Sequence, residues 1–126
     1  MKITIILPLL FVMMILVNLP ANTQDEFPRG EIIEKVICKD KPDQSYTLYL
    51  PKGYSRDKEW PILFAFDPGA VGKRPVELFK PAAEKYGYIV VGSNNSKNGP
   101  YYIADQAIFA MWKDTRERFA VDSRRI

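Results

Sequence analysis

The chain has 126 residues, with 18 lysines and arginines against 15 aspartates and glutamates, and a formal net charge of +3. So small a basic excess does not point to a nucleic-acid partner. With no histidine and one cysteine, these residues cannot build a Ser-His-Asp or Cys-His device, a histidine or thiolate metal site, or an internal disulfide.

Residues 1–23 carry one basic residue, Lys2, then an apolar run over 3–17, then the helix-breaking stretch Asn18-Leu19-Pro20-Ala21-Asn22-Thr23. This is the layout of a secretory signal peptide cleaved after Ala21 or Thr23, and it predicts a secreted or periplasmic protein. The competing reading is an uncleaved anchor, but the apolar run falls short of the roughly 20 residues that span a bilayer. Membrane contact is expected only through such an uncleaved segment. Residues 24–30 are polar, include Pro28 and read as a flexible mature N-terminus. The domain follows over 31–126, enough for one small core, although parallel-sheet α/β enzymes usually need about 200 residues or more.

Residues 31–38 (EIIEKVIC) read as a first strand and residues 44–50 (QSYTLYL), rich in aromatic and β-branched side chains, as a second. The short turn between them predicts an antiparallel hairpin at a sheet edge. Cys38 ends the first strand and is expected to be buried as a small apolar group. After a charged loop comes Pro61-Ile62-Leu63-Phe64-Ala65-Phe66-Asp67-Pro68-Gly69. Its unbroken apolar run predicts a strand buried on both faces, as parallel strands flanked by helices are.

A helix is expected next. Leu78, Ala82 and Tyr86 share one face, with Phe79 and Ala83 beside them. Pro81 is awkward inside that helix, which either starts near Lys80 or kinks. Gly87 is a natural left-handed stop. Tyr88-Ile89-Val90-Val91 is a further strand, so strand, helix and strand form a βαβ unit with parallel strands. A polar loop over 92–100 leads to a long helix at about 103–119. Its expected buried stripe is Ala104, Ala107, Ile108, Met111, Trp112 and Thr115. The charges late in that helix, Lys113, Asp114, Arg116, Glu117 and Arg118, alternate in sign as on a solvated face.

Ligands in open α/β sheets bind beyond the carboxyl ends of the strands. That places the turn at Asp67 and the loop over 93–99 on the functional edge. A nucleophilic aspartate, as in haloacid-dehalogenase-like phosphatases, needs a second acid two residues on, where Gly69 stands. Asp67 reads instead as a brace that caps its own turn, compatible with a turn that shapes an oxyanion hole. Pro68 has no N–H, so the candidate oxyanion donors are Gly69 and Ala70. The G-x-x-x-x-G-K-[ST] spacing of a phosphate loop is absent around Gly69 to Lys73. Asn94, Asn95 and Asn98 are candidates for binding a polar substrate; the competing reading is a turn-rich connection. No metal or cofactor site is expected.

Four phrases in order carry a resemblance: Tyr46-Thr47-Leu48-Tyr49-Leu50-Pro51-Lys52-Gly53-Tyr54; Trp60-Pro61 through Asp67-Pro68-Gly69; Tyr86-Gly87-Tyr88-Ile89-Val90-Val91; and Asp122-Ser123-Arg124-Arg125-Ile126. Together they resemble the front half of secreted α/β-hydrolase esterases, the feruloyl-esterase-like and polyhydroxyalkanoate-depolymerase-like group, over residues 31–126. The resemblance implies an α/β fold: the N-terminal half of a hydrolase sheet, with an antiparallel edge hairpin, a βαβ unit and a long helix, incomplete as it stands. It also implies a serine esterase acting on a small-molecule or polymeric ester, with the oxyanion position at Gly69 and then Ala70. Asp67-Pro68 replaces the family's usual His-Gly. The family's nucleophile, acid and histidine follow the Asp-x-x-Arg-Ile phrase, so no catalytic residue carries over, and these residues alone are expected to be inactive. The alternative is a secreted non-catalytic binding module that uses the loop from Ser93 to Gly99.

Overall fold

The computed structural model describes residues 26–126, so the signal peptide expected over residues 1–23 lies outside them. Within the stretch expected to be flexible, Phe27 packs against the core and the Gly30 N–H donates to the Leu50 carbonyl at 2.7 Å. The elements are β1 (Ile32–Ile37), β2 (Ser45–Tyr49), β3 (Ile62–Ala65), α1 (Lys73–Tyr86), β4 (Ile89–Ser93) and α2 (Tyr101–Arg118). They form a small α/β domain: a four-stranded mixed sheet in the order β1-β2-β4-β3, with two helices. β1 and β2 pair antiparallel, β2 and β4 antiparallel, and β3 and β4 parallel. No helix of the described residues is long and apolar enough to cross a membrane.

Alternation along the strands divides the apolar side chains between the two faces. Tyr46, Leu48, Ile62, Ile89 and Val91 join Ala110 and Met111 of α2 in the larger core, with Trp60 and Phe119. Tyr49 and Val90 point the other way and meet Val76 and Ala83 of α1, with Leu63 packed against them. Each large side chain removed from water in this way contributes roughly 1.5–3 kcal/mol.

β3 corrects one expectation. It is an edge strand in this sheet, Leu63 and Phe64 are half-buried, and Phe66 is 44% exposed. Its apolar run feeds both cores, Ile62 and Phe64 the larger and Leu63 the smaller, along a partly open edge. The residues after α2 cover the start of that edge. Trp60 N–H donates to Ala120 O at 2.7 Å, Asp122 N–H to Trp60 O at 2.8 Å, and Ile62 N–H to Arg125 O at 3.2 Å. A parallel bridge joins Trp60 to Val121. Asp122, itself buried, holds this segment in shape by accepting from Arg124 N–H at 3.0 Å and Arg125 Nε at 2.7 Å.

α1 starts at Lys73 and runs through Pro81. Its buried face is rotated from the expected one: Ala83, expected beside the stripe, faces the sheet with Val76, while Leu78 and Tyr86 are 74% and 66% exposed. Gly87 ends it at φ 73°, ψ 57°, its N–H closing on Ala83 O at 2.9 Å. The start of α1 lies directly on β4. A Cβ on Gly92 would stand 2.2 Å from the Gly72 carbonyl oxygen, and one on Gly72 equally close to Gly92 O.

α2 begins two residues early and buries Ala107, Ala110, Met111, Asp114, Thr115 and Arg118. Ile108, expected inside, is 41% exposed. Asp114 and Arg118 are not on a solvated face. Asp114 Oδ2 accepts from Tyr46 Oη at 2.7 Å and pairs with Arg118 Nε at 2.8 Å, and its Oδ1 accepts from Lys39 N–H at 2.8 Å. Arg118 also donates to Ile37 O at 2.8 Å, so the pair ties α2 to the β1–β2 turn. Cys38 is buried beside this pair, and burial, reinforced by the Asp114 charge, pushes its thiol up to about 12.

Candidate functional site

β3 and β4 run parallel, so their carboxyl ends open on one edge. The turn at Asp67 leaves β3 there, and the loop over 93–99 leaves β4. The two are joined by an antiparallel bridge between Gly69 and Lys97 and by Asn98 N–H donating to Pro68 O at 3.0 Å. Between them and the first turn of α2 lies a cavity of about 470 Å³, lined by Phe66, Asp67, Ser96, Lys97, Asn98 and Tyr101 among others.

The turn organises itself around one carboxylate. Asp67 Oδ2 accepts from Gly69 N–H at 2.8 Å and Val71 N–H at 3.1 Å, while its backbone oxygen accepts from Ala70 N–H at 2.9 Å. Ala70 takes the left-handed conformation, φ 60°. That curls the neighbouring N–H groups toward a common point, as in an anion-binding nest. The Val71 and Gly69 N–H bonds and the Arg74 guanidinium, 3.5 Å from Oδ1, hold the Asp67 carboxyl below its usual 3.8.

Asp67 is therefore placed as a brace. The same geometry shows that Gly69 and Ala70, the two expected oxyanion donors, both donate within the turn. Neither N–H is aimed at the cavity in this arrangement.

The three asparagines divide. Asn94 and Asn95 turn away from the cavity and tie the loop to the far strands. A bulge in β1 between Ile33 and Val36 leaves the Glu34 carbonyl out of the ladder. Thr47 Oγ1 at 2.9 Å and Asn94 Nδ2 at 3.1 Å satisfy it. Asn95 Oδ1 accepts from Ser45 N–H at 2.8 Å and its Nδ2 donates to Asp43 O at 3.2 Å. Asn94 and Asn95 are thus engaged in structural bonds, and Asn98 alone of the three lines the cavity. Ser93 is buried, its Oγ accepting from Asn95 and Ser96 N–H at 3.2 and 2.9 Å, which closes the loop.

Lys97, Phe66 and Tyr101 also line the cavity without a local sequence signal of their own. The alternation of β3 does not show that Phe66 passes the sheet edge, and Tyr101 reaches the cavity because α2 starts earlier than its apolar stripe suggests. Among the described residues no cluster of three or more histidine, cysteine or acidic side chains could hold a metal ion. No family model matches the chain, and no curated protein matches it.

Proposed function

We propose that this chain forms the oxyanion-side wall of an exported serine-dependent carboxylic-ester hydrolase. The observation that carries the reading is the Asp67-braced turn at the carboxyl end of a parallel strand, opening on a cavity of about 470 Å³. Open α/β sheets bind their ligands at such an edge. Two further features support it. The antiparallel edge pair, the parallel unit β3-α1-β4 and the long α2 follow in the order the resemblance implies. The Asp122 turn also steers the chain along β3 from Trp60 to Ile62, the approach that a strand leading to a nucleophile elbow would take.

In this reading a serine attacks the ester carbonyl and a histidine, which residues 26–126 do not contain, takes and returns its proton. The contribution of residues 26–126 is electrostatic. For Gly69 N–H to receive the developing oxyanion, the Asp67 carboxylate gives way and turns to Arg74, whose guanidinium is 3.5 Å away. Phe66 and Tyr101 flank the bound ester.

The test is to treat the native gene product with a fluorophosphonate and map the modified residue. A labelled serine in a Gly-x-Ser-x-Gly peptide outside these residues is the expected result; absence of any labelled serine in the active-folded product overturns the reading. The 126-residue chain alone should not turn over p-nitrophenyl esters, and steady hydrolysis that Gly69→Pro abolishes would place the catalytic groups inside it. The engaged amides of Gly69 and Ala70 favour a second reading, a non-catalytic binding module that uses Lys97 and Asn98 at the cavity rim. In that case the native product binds a polar ligand at this edge and no serine reacts.

A further inference from the structure

The cavity at the Asp67 edge, about 470 Å³, lies within the size range of small-molecule sites, about 300–1,000 Å³. The fold leaves one polar group in its wall unused. Ser96 lines the cavity and is only 8% exposed. Its N–H donates to Ser93 Oγ at 2.9 Å, which fixes the residue, but its own hydroxyl makes no hydrogen bond to any described residue. The oxygen is not sealed inside the protein, so what remains of its surface opens on the cavity. A covered hydroxyl without a partner is costly, and a ligand in the cavity can supply one.

The charges around the cavity do not cancel. Its lining carries one carboxylate, Asp67, and one ammonium, Lys97. Asp67 is already committed: its side chain is 11% exposed, Oδ2 accepts from Gly69 and Val71 N–H, and Oδ1 faces the Arg74 guanidinium at 3.5 Å. Lys97 is exposed and makes no ion pair among the described residues. Asp105, the first acid of α2, lines a separate groove with Lys41 and Asp43. With Arg74 counted, two cations stand against one carboxylate, and the uncommitted one is Lys97. The Phe66 and Tyr101 rings add apolar surface to the lining.

We propose that this cavity binds a small carboxylate with an apolar body. The carboxylate accepts from the Ser96 hydroxyl and pairs with the Lys97 ammonium, whose flexible four-carbon stem lets it reach the ligand. The body lies against Phe66 and Tyr101. A neutral amide would satisfy Ser96 but leave the ammonium unmatched, and an amine would meet Lys97 as a like charge. On the hydrolase reading, and resting on it, the substrate is then an ester that also carries a free carboxylate.

The test titrates the 126-residue chain with phenylacetate, its neutral isostere phenylacetamide and 2-phenylethylamine, following the backbone amide resonances of Lys97, Asn98 and Tyr101 by NMR. A saturable shift is expected with phenylacetate, which binds about fivefold more tightly than the amide, with the amine weakest. Lys97→Met removes the preference for the carboxylate, and Lys97→Arg keeps it. Ser96→Ala, which breaks no side-chain hydrogen bond within the fold, weakens phenylacetate about tenfold. The Trp60 indole, buried and bonded to Ser55 O at 2.9 Å, reports that each variant is folded. Amide bound as tightly as carboxylate, a preference that survives Lys97→Met, or no saturable shift up to roughly 10 mM overturns the proposal. The fluorophosphonate experiment fails separately. A native product that binds phenylacetate but has no reactive serine keeps this site and loses the ester; a labelled serine without a carboxylate preference keeps the hydrolase and loses this site.

Discussion

Asp67 and Asp114 are both aspartates whose oxygens are filled by protein donors, and they are filled in opposite ways. Asp67 serves its own turn: its two N–H partners are two and four residues away. Asp114 serves the tertiary structure: Tyr46 and Lys39 are 68 and 75 residues away. The first arrangement shapes a loop, and the second fastens a helix to a hairpin. A carboxylate used locally can be changed at local expense, whereas one used at long range leaves buried groups stranded when it goes.

The sharpest way to break that comparison is Asp114→Ala. It leaves the Arg118 guanidinium and the Tyr46 hydroxyl buried without their shared acceptor, which should cost about 3–5 kcal/mol. Urea unfolding followed by far-UV circular dichroism measures it, and a loss below about 1 kcal/mol would mean the pair is not buried in solution. Gly92→Ala comes next. The new methyl group meets the Gly72 carbonyl and forces α1 off β4, for an expected loss of about 1–3 kcal/mol in the same assay.

Ala70→Gly should act in the other direction, relieving a left-handed alanine for a net gain of about 0.5 kcal/mol. Asp67→Ala should move the global unfolding midpoint least. Its signature is local: faster hydrogen exchange at the Gly69 and Val71 amides. The pH dependence has the same locality. The folded carboxyl lies below 3.8, so its contribution is complete above the unfolded value and is lost as pH falls through the folded one. Exchange at Gly69 and Val71, corrected for intrinsic rate, should therefore accelerate in that acid window and stay level above it. Acceleration near neutral pH would show that the carboxylate does not hold the turn.

What was legible in the sequence follows the same division. The strands, the βαβ unit, the stop at Gly87 and the placing of Asp67 at a strand end all rest on neighbours in the chain, and they could be read there. The phase of α1 could not. Leu78, Ala82 and Tyr86 make as good an apolar stripe as Val76 and Ala83, and Tyr49, whose hydroxyl bonds Glu84 on α1, is far away in sequence. The burial of Asp114 and Arg118 was hidden for a related reason: a charged pair one helical turn apart looks the same whether it faces water or a tyrosine from another strand. At the candidate site, the residue types of the loop over 93–99 suggested ligand binding. The β1 bulge, which claims Asn94 for the stranded Glu34 carbonyl, leaves little mark in local composition.

The contact between Gly72 and Gly92 also bears on kinship. Two backbones crossing at this distance leave no volume for a methyl group on either side, so the two positions are free to vary only together with the separation of α1 from β4. A substitution at one site already lifts the helix, and a second at the other then costs little more. The pair should therefore show strong non-additivity in a double-mutant cycle. In descendants of this fold too diverged to align, paired glycines after the β3 turn and within the last residues of β4 would be the ancestral trace to look for.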